Sequence, residues 1–389
     1  MLKIVVLSIS FLLMSALAMN GILPEIRDAL GITQTQSELL ITIPSIATLI
    51  FVTMSNGLIK RFGMKKTVVA GLIIAGMGGV MPAFYAESYA YLLAGRFLLG
   101  AGKGLIFTSS ISYINILFDE RERATLIGYR SAMEMLGQSL LTLALGALAV
   151  ISWSFSFVAY GVYFLVALAV AFKIPEVETG SDKIENRGSN GNKMPAIIYP
   201  LALFVGLVVI SSSMISIRFP AMVTEIMGET YNSSFLVAMR PILSIIAAIF
   251  FGKLHRLLGK KLLYIGMLCL LSSQLLIGFS NGNFWVLVIG FLLSSFVTGW
   301  IVPIIVSTIS KVTTVGAKQR TAMSYVLICA NVGVFVMPFL VQGLEFVVNS
   351  SDLAAPYPVM AVAIGATLLI LMTFSNHQPF RKKVGLDHG

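Results

Sequence analysis

Charge is scarce in this chain. Of 389 residues, 11% are Asp, Glu, Lys or Arg and 57% are hydrophobic, whereas soluble domains carry about 25% charged residues. A water-soluble core could not hide so much apolar surface. The composition therefore excludes an ordinary soluble enzyme or nucleic-acid-binding module and implies a polytopic membrane protein. Histidine is scarcer still: His255, His377 and His388 are the three, and all fall in loops or the tail. Neither His-Glu-x-x-His nor Gly-x-Ser-x-Gly occurs, which argues against a membrane enzyme. The two cysteines, Cys269 and Cys329, lie inside apolar runs. They predict neither a disulfide framework nor a zinc site, so no metal or cofactor is expected.

What is present is a series of long apolar runs, each near the ~20 residues that cross a bilayer. Hydropathy predicts spans at 4–24, 37–58, 67–86, 89–116, 125–150 and 153–172. A second set follows at 197–219, 233–254, 262–280, 284–309, 321–345 and 355–375. The first run, after Lys3 and ending Ala16-Leu17-Ala18, also has the form of a signal peptide. With so many similar runs behind it, it reads as the first span. Residues 173–196 are hydrophilic and rich in Gly, Ser and Asn, a composition that makes a flexible linker. They divide the chain into an N-terminal bundle, 1–172, and a C-terminal bundle, 197–376, followed by a basic tail, 377–389.

The formal charge of +10 has a topological explanation. With both termini in the cytoplasm, nearly every loop Lys and Arg falls inside, and Arg27 stands outside among acids such as Glu25, Asp28 and Glu38. That matches the positive-inside rule. Two of the inner loops are related. Asn56–Lys66 and Gly252–Lys261 align with Gly63 on Gly259, Leu58 on Leu254, Lys60 on Arg256 and Lys65 on Lys261. Recurrence of this kind points to two homologous halves, and repeat-built transporters place their substrate site between the halves.

On these residues the chain resembles the major facilitator superfamily over essentially its whole length. Leu58, Arg61, Gly63 and Lys65 match the loop signature Gly-x-Leu-x-Asp-Arg-x-Gly-Arg-Lys; Asn56, Lys60 and Met64 depart from it. Arg96-Phe-Leu-Leu-Gly100-Ala-Gly102 resembles the fourth-span motif of the drug/proton antiporters, and Leu23-Pro24-Glu25-Ile26 resembles the end of their first span. Gly137-Gln138 stands where their fifth span has Gly-Pro. The resemblance implies an all-α membrane protein of about twelve helices in two pseudo-symmetric six-helix bundles, working by alternating access as a monomer. In the family the loop Asp helps to hold one conformation. Lys60 has the wrong sign for that, so Asp119, Glu120 and Glu122 are candidate substitutes. The missing Pro removes a kink-forming residue.

Ionisable residues at membrane depth are costly, and each is a functional candidate. The predicted spans contain Arg96, Lys103, Arg130, Arg218 and Arg240, with Glu134 as the acid. Arg130 and Glu134 are four apart and share a helix face, while Lys103 lies at a similar depth. Glu134 is the expected proton carrier, with Arg130 and Lys103 as charge partners; a permanent structural ion pair is the competing reading. Arg96, Arg240, Arg218, Asn20 and Asn331 are the candidate substrate contacts, although Arg218 also has the position of an interfacial residue that snorkels. The positive surplus favours anionic or zwitterionic ligands over organic cations. The expected function is proton-coupled efflux of small amphipathic, neutral or anionic compounds across the cell membrane. An importer or exchanger of organic or inorganic anions is the alternative, ahead of a non-transporting sensor. Partners are a small-molecule substrate, protons and the lipid bilayer, with no nucleic acid.

Overall fold

The structure is a computed structural model that describes residues 2–85, 87–177, 195–259, 261–313, 316–350 and 352–376. Most of the predicted linker and the whole basic tail lie outside the described residues. Every described element is helical. Among the described residues, eleven helices are long and apolar enough to cross a membrane, and a bent pair at the N-terminus makes a twelfth crossing if taken as one span. Large apolar side chains such as Leu203, Ile249, Phe346 and Val362 are exposed along these helices. In water that would be a liability; facing lipid it is the expected surface.

The first span departs from the hydropathy reading. Residues 4–24 were expected to form one helix, but α1 (Leu2–Phe11) ends early and a 3₁₀ segment (Ser15–Ile22) leads into α2 (Leu23–Leu30). The axis bends by 49° at the break. Neither Pro nor Gly occupies residues 12–14, so no local breaker accounts for it.

The next helix, α3 (Gln34–Phe62), starts on a capping box. The Thr33 hydroxyl accepts from the Gln36 N–H at 3.2 Å, and the Gln36 side chain accepts from the Thr33 N–H at 2.9 Å. It stops at Gly63, whose φ of +87° suits glycine, and α4 (Met64–Val80) begins at once. Gly259, the aligned position in the second basic loop, also has positive φ, +51°. The two aligned glycines thus share a positive φ.

Then come α5 (Tyr89–Leu117), α6 (Glu120–Ala149) and, after a 3₁₀ turn at Phe155–Gly161, α7 (Val162–Lys173). Glycines hold α5 against its neighbours. A Cβ on Gly102 would strike the Gly71 carbonyl of α4, and one on Gly100 or Gly104 would strike α3 at Pro44 or Thr48. Such small residues let helix backbones meet where lipid offers no hydrophobic drive. Residues 1–181 and 223–242 form one compact unit.

The other unit comprises residues 182–222 and 243–389. Its described helices are α8 (Ile198–Met227) as far as Met222, α9 (Ser234–Leu258) from Leu243, α10 (Lys261–Gly278), α11 (Phe284–Leu293), α12 (Ser295–Val312), α13 (Gly316–Val348) and α14 (Pro356–Asn376). Polar side chains tie these helices by their backbones. Ser244 donates to the Ser295 carbonyl at 2.9 Å, Ser273 to Gly290 at 2.6 Å and the Trp300 indole to Ala247 at 3.1 Å.

Candidate functional site

The glycine contacts on α5 fix that helix's rotation. Gly100 and Gly104 face α3 and Gly102 faces α4. At 100° per residue, Arg96, Lys103, Phe107 and Ser110 then share one face, which borders the α3-facing stripe. That face meets α6. Arg130 donates from Nε to the Ser110 hydroxyl at 3.1 Å, and its guanidinium lies 5.8 Å from the Phe107 ring centroid. Its Nη2 is 2.7 Å from Glu134 Oε1 in an i,i+4 ion pair, with the side chains 11% and 13% exposed. Lys103 lies within electrostatic range of both Glu134 and Arg96. The structure therefore gathers Arg130, Glu134 and Lys103 into one cluster.

Arg96, on the same stripe, is differently placed. It is 1% exposed. Its Nε donates to the Leu40 carbonyl at 2.9 Å, Nη1 to the Tyr160 hydroxyl at 3.2 Å and Nη2 to the Ala16 carbonyl. Tyr160 donates to the Ser15 carbonyl and Tyr163 to the Leu12 carbonyl, both at 3.0 Å. The Ser15 hydroxyl completes the group, 2.6 Å from the Tyr163 hydroxyl. Leu12, Ser15 and Ala16 are the residues at the break in the first span. Backbone groups freed inside a membrane must find partners within the protein, and here Arg96, Tyr160 and Tyr163 are the partners. Gly137 of α6 presses against the same break, because a Cβ there would collide with the Phe11 carbonyl. Sequence reading missed the two tyrosines; both lie in an apolar span, where a Tyr hydroxyl needs a polar partner.

In the other unit, Arg218 of α8 is fully buried and pairs with Glu345 of α13 at 2.5 Å. This corrects the expectation that Glu134 is the acid at membrane depth. It also replaces a snorkelling Arg218 with a sealed one. The predicted span ended at Glu345; the helix continues through the apolar Phe346–Val348, and that continuation was the available signal. Next to Arg218, Phe219 stacks on Phe291 with centroids 3.8 Å apart.

The remaining predicted residues are dispersed. Arg240 is half-buried on α9, one residue before Pro241. Asn20 is fully buried in the 3₁₀ segment. Asn331 donates to the Leu327 carbonyl of its own helix at 2.9 Å. In the loop, Lys60 and Arg61 are exposed, Leu58 and Lys65 half-buried, and the Arg61 guanidinium lies 5.4 Å from the Phe62 ring centroid. Of the acids proposed to replace the loop Asp, Glu122 instead pairs with Lys3 at 2.6 Å. The acid that reaches the signature glycine is Glu176, whose Oε1 lies 3.2 Å from where a Gly63 Cβ would stand. Among the described residues no group of His, Cys, Asp or Glu could hold a metal ion.

Comparisons with known proteins agree with this architecture. The chain matches the family profile Major Facilitator Superfamily over residues 5–208 and 201–386. It is 36% identical to the bacillibactin exporter of Bacillus subtilis (strain 168) over 112 residues, 27% of this chain and 28% of that one. It is 27% identical to the hexuronate transporter of the same organism over 298 residues, 70% of this chain and 69% of that one. Among solved structures, an auto-inhibited POT family peptide transporter superposes with a TM-score of 0.75 at 14% identity, covering 97% of this chain and 96% of that one. The E. coli xylose transporter in its inward-open conformation gives 0.72 at 14% identity, covering 94% and 95%. These neighbours are transporters, not enzymes. The profile spans almost the whole chain and the multi-pass helical fold agrees with it, so the chain belongs to the major facilitator superfamily.

Proposed function

We propose that this membrane transporter carries small amphipathic compounds, neutral or bearing an anionic group, and couples their movement to protons through Glu134. The observation that carries this reading is the cluster of Arg130, Glu134 and Lys103. An acid paired with one base and close to a second changes the charge of its site by one when it binds a proton. That change alters the relative stability of two transport states, which is the requirement for coupling. The positive surplus around it favours anions over cations.

In this reading residues 1–172 and 197–376 are the two bundles of an alternating-access monomer in the cell membrane, with both termini cytoplasmic. Arg240, Asn20 and Asn331 are the substrate contacts. Arg96 and Arg218 are assigned to holding helices instead, because Arg96 donates to the Leu40 and Ala16 carbonyls and Arg218 Nη1 pairs with Glu345. The loop around Leu58, Lys60, Arg61, Gly63 and Lys65 is a conformational contact, with Glu176 as its acid.

Export is supported by the similarity to an exporter and by the resemblance to antiporters. Uptake or exchange of anions is the second reading, supported by the hexuronate transporter match and the positive site. The test of coupling is Glu134→Gln in proteoliposomes. The variant is expected to fold and bind but to lose pH-gradient-driven flux. Undiminished gradient-driven flux would sink the assignment.

A further inference from the structure

We propose that Lys103 anchors the anionic group of the substrate, so that the anion and the proton bind this cluster cooperatively. The inference rests on the reading of Glu134 as the proton-linked acid and assigns a ligand contact to a residue so far treated only as its charge partner.

Three observations support it. First, the other bases of the stripe are occupied. Arg96 is spent on Leu40, Tyr160 and Ala16, and Arg130 on Ser110, Phe107 and Glu134. Lys103 makes no hydrogen bond and no ion pair within 4.0 Å among the described residues. Second, Lys103 is half-buried, while its neighbours Gly102 and Gly104 are fully buried against other helices. Helix packing therefore turns the lysine stem away from the sealed faces of α5. Third, the half-buried Phe107 ring lies one turn along the same face. An ammonium with three donors beside an apolar ring fits a small carboxylate carried on an amphipathic body.

The sign of the coupling follows from the charges. The groups facing Glu134 are Arg130 on its own helix and Lys103 on α5. The other elements packed on α6 bring few charges. Lys3 of α1 is engaged by Glu122. The 3₁₀ segment Ser15–Ile22 carries none, and Phe155–Gly161 contributes Tyr160, whose hydroxyl is bonded to Ser15 and Arg96. Helix α9, which meets α6 where Ser139 donates to the Ala238 carbonyl, adds Arg240. With Glu134 ionised, Lys103, Arg130 and Glu134 sum to one positive charge, and with Glu134 protonated to two. A bound anion therefore favours protonation, and a bound proton favours the anion; by linkage the two effects are equal. Proton and anion then travel in the same direction, which favours uptake, the second reading above, over proton-driven export, and is the opposite of competition between a proton and a cation.

The test uses the full-length protein in detergent and in liposomes, with glucuronate and benzoate as anionic probes and glucose as the uncharged control. Binding is read by thermal stabilisation, and proton exchange by an indicator dye in weak buffer. The wild type is expected to bind an anionic probe and to take up protons on binding. Lys103→Gln should weaken that binding by about thirtyfold, the loss typical when one partner of a buried charge pair is removed. Lys103→Arg should retain most of it, which guards against a folding artefact. Glu134→Gln should bind the probe without proton uptake. Unchanged affinity in Lys103→Gln overturns the anchor and leaves the Glu134 reading standing. Proton release overturns cooperativity. Absence of binding by both anions overturns the anchor, and gradient-driven flux lost in Glu134→Gln would then still support Glu134 as the coupling acid.

Discussion

Two buried Arg–Glu pairs invite comparison. Arg130 and Glu134 sit one turn apart on a single helix, are slightly exposed, and have a second base nearby in Lys103. Arg218 and Glu345 are 127 residues apart on different helices, and the arginine is completely buried. The first pair can open without moving a helix, because its partners share one backbone. The second joins α8 to α13, and separating it means separating those helices. A local pair with a surplus charge suits a switch; an interhelical pair built on a fully buried arginine suits a brace.

The largest effect on stability is expected from the second pair. Glu345→Gln leaves a buried guanidinium without its carboxylate, and breaking a buried pair costs about 3–5 kcal/mol. A melting curve of the purified variant should show it, and Arg218→Leu combined with Glu345→Leu should recover part of the loss. A neutral Glu345→Gln would make the two pairs alike and remove the distinction.

Next comes Arg96, a brace that has no carboxylate. Arg96→Met strands the Ala16 and Leu40 carbonyls, at about 1–3 kcal/mol for each unsatisfied buried group. The first span should also loosen, seen as faster amide exchange at residues 12–20 than in α3.

A smaller effect on stability is expected at Glu134. Glu134→Gln keeps one acceptor for Arg130 and should cost about 1 kcal/mol, while gradient-driven flux falls to the level of protein-free liposomes. Loss of stability comparable to Glu345→Gln would reassign Glu134 as a brace. Smallest of all is the exposed Lys3–Glu122 pair. Lys3→Ala should shift stability by less than about 0.5 kcal/mol, and a double-mutant cycle with Glu122→Ala would measure it.

Much of the fold was legible because hydropathy acts over one helix at a time. Each predicted span falls largely on helical elements, although the first is broken at residues 12–14, and the signature glycines Gly63 and Gly259 mark the positive-φ turns between spans. The Arg130–Glu134 pair was legible too, from its spacing. The break at residues 12–14 was not, because Leu12, Leu13 and Met14 carry no breaker. Glu122 is legible as a loop acid but its partner is not, and neither is the approach of Glu176 to the signature glycine, because both contacts depend on packing.

What the sequence by itself determined is set by neighbours along the chain: the apolar runs, the basic loops, the glycine teeth and the i,i+4 charge pair. What the tertiary structure alone decided are the partnerships across the chain. Arg96, Tyr160 and Tyr163 receive the broken first span, Glu345 neutralises Arg218, and packing of the α5 glycines leaves Lys103 half-buried beside Glu134. The physical reason is the same in each case. Inside a bilayer a freed carbonyl or an ion must find its partner within the protein, and which residue supplies it depends on how the helices are packed.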